Sequence, residues 1–470
     1  MTTGNFWDTE VWSFIITVTM LLGAMMVANM LRRSIKPLRK MLIPSSVLGG
    51  FLLLIVNFIY KQIFNGESMF SAQMMEVITY HGLGLGFVAM SLRRVEKNSD
   101  QRLKSFDTGV AVVGGYLIQA VVGLVLSTAL FYIMQKGFAA SGLLLPMGYG
   151  QGPGQAYNWG RTYENLWGFD NGTSFGLTVA AMGFVAASVG GVIYLNLLRR
   201  KGRFSGSLGA EVTEAEDSKE AVTAKGEIPL SESLDKLTVQ VALVFIGYVM
   251  AYLIMIGFNA LINTGILGDF GVNTVQPLVW GFNFLFGTLC ALVLKGILGF
   301  CRKKNIIHRE YSSNFMQSRI AGFMFDIMVV ASIAAIDLSA FTHAEFIVPL
   351  LCICIAGAVA TYFYLAKLCP IVYPDYSDEA FLSLYGMLTG TASTGVILLR
   401  EKDPHFETPA ANNLVYQQPW AIAFGFPMLL MLGFAPKGTV QLFATIGLCA
   451  LLFVAMLIIL LRKKIFRKKK

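Results

Sequence analysis

Charge is scarce in this sequence. Asp, Glu, Lys and Arg make up 14% of the 470 residues, against 55% hydrophobic, and the mean hydropathy is +0.62. Long uncharged apolar runs at that composition exclude a soluble multidomain protein and specify a polytopic membrane chain. Several catalytic signatures are missing too. With no Walker loop, no GxSxG elbow and no HExxH pair, a pump or an intramembrane hydrolase has no residues to carry its chemistry, so the expectation is not an enzyme. The six cysteines (Cys290, Cys301, Cys352, Cys354, Cys369, Cys449) lack zinc-site spacing and lie in apolar runs or at their basic ends, which predicts free thiols. Residues 1–10 lack the basic start of a cleavable signal. A net charge of +9 would suggest nucleic acid in a soluble chain. Here Lys and Arg stand in short clusters between apolar runs, so they are topology signals; membrane lipids are the expected surroundings, and no nucleic acid is expected.

Apolar runs long enough to cross a bilayer fall at 10–31, 45–61, 74–92, 106–135, 173–198, 238–263, 274–300, 317–338, 345–368, 414–433 and 438–461. The third is interrupted by His81, Gly82, Gly84 and Gly86, and reads either as a discontinuous helix or as a surface-lying segment. Basic clusters follow alternate runs, at 32–44, 93–105, 199–203, 302–309 and 462–470. Placing all of them in the cytoplasm requires the N-terminus outside, the C-terminus inside and an odd number of spans, which eleven satisfies.

Residues 204–235 are acidic, polar and poor in aromatics, and read as a cytoplasmic linker between two halves. The predicted organisation is therefore 1–203, the linker 204–235, 236–433, and a peripheral final span with a basic tail at 434–470. Each half carries five spans, with a Gly-rich segment too polar to cross alone between its fourth and fifth, near 138–160 and 380–400. Because five spans separate equivalent positions, the halves are inverted. The expected fold is all-α, with two inverted-topology repeats, each with a re-entrant hairpin, plus one extra C-terminal helix. Irregular segments at matching places in inverted halves point to a secondary transporter's binding site. For the first segment, a Gly-rich outer loop that never enters the bilayer is the competing reading.

The first segment, Leu145 to Gly160, is too broken by glycine and proline for a continuous helix. Gly150, Gly152 and Gly154 would let the backbone approach a solute, and the amides of Gln151, Gln155 and Asn158 both donate and accept, which suits an amino acid or dicarboxylate. Arg161 could clamp a carboxylate or sit at the outer interface. In the second, Gly390, Thr391, Ser393 and Thr394 are further candidates to bind the substrate, and the small hydroxyl residues, with Thr389 and Thr391 as the ion-coupling candidates, offer oxygen ligands to a hard cation such as sodium; close helix packing by small residues is the alternative. Asp326, midway along 317–338, is an intramembrane carboxylate and hence a candidate to ligate the coupling cation or carry a proton. His81 is a further proton-coupling candidate. Gly148-Tyr149-Gly150 is a poor match to a potassium filter, because Pro146-Met147 precedes it instead of Thr-Val.

The order Gly150-Gln151-Gly152-Pro153-Gly154-Gln155-Ala156, then Trp159 and Gly168-Phe169, resembles the first hairpin of the bacterial sodium/glutamate symporter family. Gly390-Thr391-Ala392-Ser393-Thr394, preceded by Asp378-Glu379-Ala380, is similar to its second, with Ser46-Val47-Leu48-Gly49-Gly50 and Ser91-Leu92-Arg93 as weaker echoes. Gln and Pro replace the His and Thr of the first motif, Ser393 replaces the Pro of the second, and an expected downstream Asn is apolar near Leu398-Leu399. The resemblance implies sodium-coupled symport of glutamate or a related anion across the bacterial inner membrane. It also implies a homodimer and alternating access. A proton-coupled carboxylate carrier or exchanger, and an ion channel, are the other readings.

Overall fold

The computed structural model describes residues 6–93, 99–204, 236–268, 271–307, 309 and 311–467. Among them every regular element is a helix, and eleven helices are long and apolar enough to cross a membrane. The chain is a multi-pass helical membrane protein. In order the helices used below are α1 (Thr9–Ser34), α2 (Ser45–Ile63), α3 (Ala72–Leu92), α4 (Ser99–Met134), α5 (Leu144–Tyr149), α6 (Pro153–Trp167), α7 (Gly172–Arg200), α8 (Lys236–Asn263), α9 (Gln276–Gly281), α10 (Asn283–Lys303), α11 (Asn314–Ala334), α12 (Ala344–Val372), α13 (Ser377–Thr389), α14 (Ala392–Lys402), α15 (Ala410–Tyr416), α16 (Gln418–Leu432) and α17 (Thr439–Arg467). Of the linker read at 204–235, all but Phe204 lies outside the described residues.

The helices fall into two compact units that interleave along the chain. One comprises 1–76, 97–210 and 329–470; the other comprises 77–96 and 211–328. In the first, α7 is the most buried of the spans, with 67% of its apolar window inside the protein. Packed against it are α5, α6, α12 and α13. The last helix, α17, packs along α4, and Arg462 pairs with the buried Asp107 at 2.5 Å. Asp107 lies in the third turn of α4, which begins at Ser99.

The second unit is built around Val88, Leu92, Val244, Ala291 and Ile320. Here α3 is one continuous helix. A β-carbon on Gly84 would lie 2.3 Å from the Tyr248 ring, and one on Gly86 2.4 Å from the Phe325 ring, so these glycines admit neighbours rather than break the helix. The run 274–300 is not one helix: Phe282 leaves helical geometry (φ −102°, ψ 30°), Asn283 Nδ2 donates to the Tyr80 carbonyl at 3.0 Å, and the span proper is α10. Within 414–433 the helix re-forms at Gln418, since Pro419 has no N–H to continue the ladder of α15.

Candidate functional site

Both segments too irregular to span fold as helix, break, helix, and both belong to the first unit. The first runs from a 3-10 turn, Ala139–Leu143, through α5 to a break at Gly150–Gly152. The N–H groups of Gly150 and Gln151 both close onto the Pro146 carbonyl, which ends α5. Gly152 then adopts φ +88°, ψ 179°, a conformation that L-residues avoid, and Pro153 opens α6, where its missing N–H costs nothing. Gly168 in the left-handed region ends α6.

In the second segment α13 stops at Thr389, and Thr391, in extended conformation, caps α14 by accepting from the Thr394 N–H at 3.4 Å. The arms of this hairpin touch backbone to backbone: a β-carbon on Gly386 would lie 2.7 Å from Gly395 Cα. Small residues at that crossing are what allow two helices to turn back on each other without a loop.

Both breaks abut α7. A β-carbon on Gly183 would lie 2.2 Å from the Thr389 carbonyl oxygen and 2.9 Å from Tyr149 Cδ1, so the end of α13 and the end of α5 share one gap in the α7 surface. The breaks also meet each other, with Thr391 Cγ2 3.7 Å from the β-carbon position of Gly152. Of the residues expected to form a site, Gly150, Gly152, Gly154, Gln155, Asn158, Thr389, Gly390 and Thr394 are buried, Gln151 and Thr391 are half-buried, and Ser393 is exposed. The Thr389 hydroxyl donates to the Tyr385 carbonyl at 2.6 Å, so its proton is engaged within α13.

Asp326 is exposed on α11, in the second unit. In that unit His81 Nδ1 is 2.9 Å from the Tyr248 hydroxyl. Arg161 is bound by Glu76 and by the Tyr157 hydroxyl, which itself donates to Glu76 at 3.1 Å. Among the described residues no group of three or more His, Cys, Asp or Glu could hold a metal ion. The oxygens at the breaks are hydroxyls and carbonyls, the donor type that a hard monovalent cation takes.

Two features were not among the sequence candidates. Gln119, fully buried midway along α4, donates through Nε2 to Thr361 Oγ1 of α12 at 2.9 Å and to the Leu388 carbonyl of α13 at 2.8 Å, while its Oε1 is buried without a partner. The signal for it is an amide in the middle of the apolar run 106–135, whose other amide, Gln135, stands at its end. Asp378, buried at the start of α13, binds Arg203 beyond the end of α7 at 2.9 Å and accepts from the Tyr194 hydroxyl at 3.0 Å. That ion pair ties the start of the second interrupted segment to the end of α7, the helix that both breaks abut.

No curated protein matches the chain. Residues 11–268 match the family model described as sodium/glutamate symporter, over more than half of the length; the match includes the first interrupted segment and stops before the second. The chain therefore belongs to the sodium/glutamate symporter family, a family of transporters rather than of enzymes.

Proposed function

We propose that this transporter couples the entry of sodium to uptake of glutamate or a closely related anionic amino acid or dicarboxylate, by alternating access. The observation that carries the reading is the meeting of Gly152 and Thr391: two broken helices, between the fourth and fifth spans of each half, bring their breaks together against α7. On this reading the segments enter the membrane from opposite sides as re-entrant hairpins of two inverted five-span halves, 1–203 and 236–433, joined by the 204–235 linker, with 434–470 appended. Irregular backbone is tolerated at membrane depth only where protein or a watery cavity surrounds it, and the burial of both segments fits that condition.

The chemistry follows from helix ends. The N-terminal turns of α6 and α14 present N–H groups and positive dipole ends at the breaks, which suits a substrate carboxylate. The C-terminal ends of α5 and α13 present carbonyls there, and with the Thr391 hydroxyl they suit sodium. Gln151, Gln155 and Asn158 supply the amides that would hold an α-amino or second carboxylate group. The basic clusters orient the N-terminus outside and the C-terminus in the cytoplasm of a bacterial inner membrane. There each inward elementary charge contributes about 2.3 kcal/mol per 100 mV. The family implies a homodimer as the scaffold for the moving core.

The test is uptake of radiolabelled glutamate into proteoliposomes. Accumulation should require an inward sodium gradient and be competed by anionic amino and dicarboxylic acids. Accumulation driven by a proton gradient without sodium, abolished in Asp326→Asn, would replace this reading with proton coupling.

A further inference from the structure

On its outer surface the first unit carries an apolar groove of about 370 Å³ between α4, α12 and α17, lined by Ile118, Ala360, Phe363, Lys367, Phe453 and Leu461 among others. Phe363 is 58% exposed, so the groove opens outward rather than into the core. Its one polar neighbour among the aromatics, the Tyr364 hydroxyl, already donates to the Ala111 carbonyl at 2.8 Å. From Phe453 to Leu461 the wall is nine residues of α17, eight helical rises or about 12 Å. That is close to the roughly 15 Å depth of one leaflet's hydrocarbon.

The charges at one end choose the occupant. Lys367 lines the groove five residues before the end of α12, with its side chain exposed. At the same end Arg462 follows Leu461; it binds Asp107 and lies over the Phe106 ring at 5.3 Å, so the nearest carboxylate on α4 is already taken. From Arg462 onward the sequence holds seven Lys or Arg in its last nine residues. A second copy seated here through a two-fold axis would bring its own basic end against this one. An anionic headgroup would not. We propose that this groove binds an anionic phospholipid of the surrounding bilayer, one acyl chain lying along Phe453–Leu461 and the phosphate on the Lys367 ammonium. The site is separate from the hairpin breaks and does not depend on the transport reading.

Native mass spectrometry of the purified full chain, titrated with phosphatidylglycerol or phosphatidylcholine of identical acyl chains, tests this. The wild type should retain phosphatidylglycerol in about five-fold preference, the attraction of one basic residue to an anionic lipid surface. Lys367→Ala should abolish the preference and Lys367→Arg keep it, while Ala360→Phe should lower retention of both lipids by filling the groove. Lys136→Ala, an exposed basic residue of the same unit that does not line the groove, serves as the control and should behave as wild type. Glycerol 3-phosphate, which has the phosphate without the chain, should not compete. Unchanged selectivity in Lys367→Ala, or undiminished lipid retention in Ala360→Phe, would overturn the proposal. So would a change of oligomeric state in those variants with lipid retention unaltered, which would identify the occupant as a second copy.

Discussion

Gly152 and Thr391 are separated by more than half the chain, yet the Thr391 methyl sits 3.7 Å from where a β-carbon on Gly152 would be. Neither position tolerates change for the same reason. Gly152 is needed for its backbone, at φ +88°; Thr391 is needed for its side chain, which caps α14. The contact joins a conformational requirement in one segment to a capping requirement in the other.

Gly152→Leu should therefore abolish uptake while leaving membrane insertion intact. Any L-residue at this φ costs about 1–3 kcal/mol of backbone strain, and a leucine side chain would also displace Thr391. Gly152→Ala should give an intermediate loss, because it keeps the strain and removes most of the bulk. Protein yield in membranes against uptake rate in the same vesicles separates the two effects. Uptake at wild-type rate in the leucine variant would show that the break is not part of the site.

Gln119→Leu should raise the sodium concentration needed for half-maximal uptake more than it changes the glutamate requirement. The amide holds the Leu388 carbonyl one residue before Thr389, and its loss leaves that buried carbonyl unpaired at a cost of about 1–3 kcal/mol. Gln119→Glu restores an acceptor but only one donor, when protonated, and should recover part of the sodium affinity at acid pH. Sodium titrations at fixed glutamate, and the reverse, give the comparison.

Much of this architecture is legible in the chain because its causes are local. Apolar length marks the spans, and glycine, joined by proline only in the first, marks the breaks at 150–153 and at 390, where no partner is needed to stop a helix. What is hidden depends on residues far apart. Gln119 and Leu388 are separated by 269 positions, and nothing near Gln119 says that its amide ends on a hairpin. The glycines of α3 suggest interruption because composition cannot distinguish a helix that breaks from one that admits the Tyr248 and Phe325 rings. The split of 274–300 at Phe282 is equally quiet, since Pro277 stands five residues before the break.

Arg203→Ala should destabilise the protein more than the double variant Arg203→Ala with Asp378→Asn. In the single variant the Asp378 carboxylate stays buried with only the Tyr194 hydroxyl beside it, whereas the double variant removes the charge as well. Because the Arg203 side chain is 54% exposed, solvent screens the pair, and a loss of about 1–2 kcal/mol is expected for the single change. Thermal unfolding in detergent across the full double-mutant cycle measures the coupling. Additive losses would mean that the pair does not hold the hairpin entry.

Asp403, in the loop between α14 and α15, should make the protein's stability fall in acid. Burial by itself would raise its pKa, but the Thr408 hydroxyl donates to Oδ2 at 2.6 Å, the Thr408 N–H also donates to Oδ2 and the Glu407 N–H to Oδ1, both at 2.9 Å, and His405 lies nearby. Together they hold the carboxyl below its ordinary value. A carboxylate depressed on folding contributes its full stabilisation above the unfolded value of about 3.9, and that contribution is lost as pH falls through the lower folded value. Asp403→Asn sets an amide N–H against the Thr408 donors and should lower the unfolding midpoint at neutral pH, with about 1–3 kcal/mol at stake. The gap between wild type and variant should close progressively as pH falls from about 4 through the lower folded value, below which both side chains are neutral. A gap that stays constant down to acid pH would show that loop geometry, and not the ionised carboxylate, joins α14 to α15.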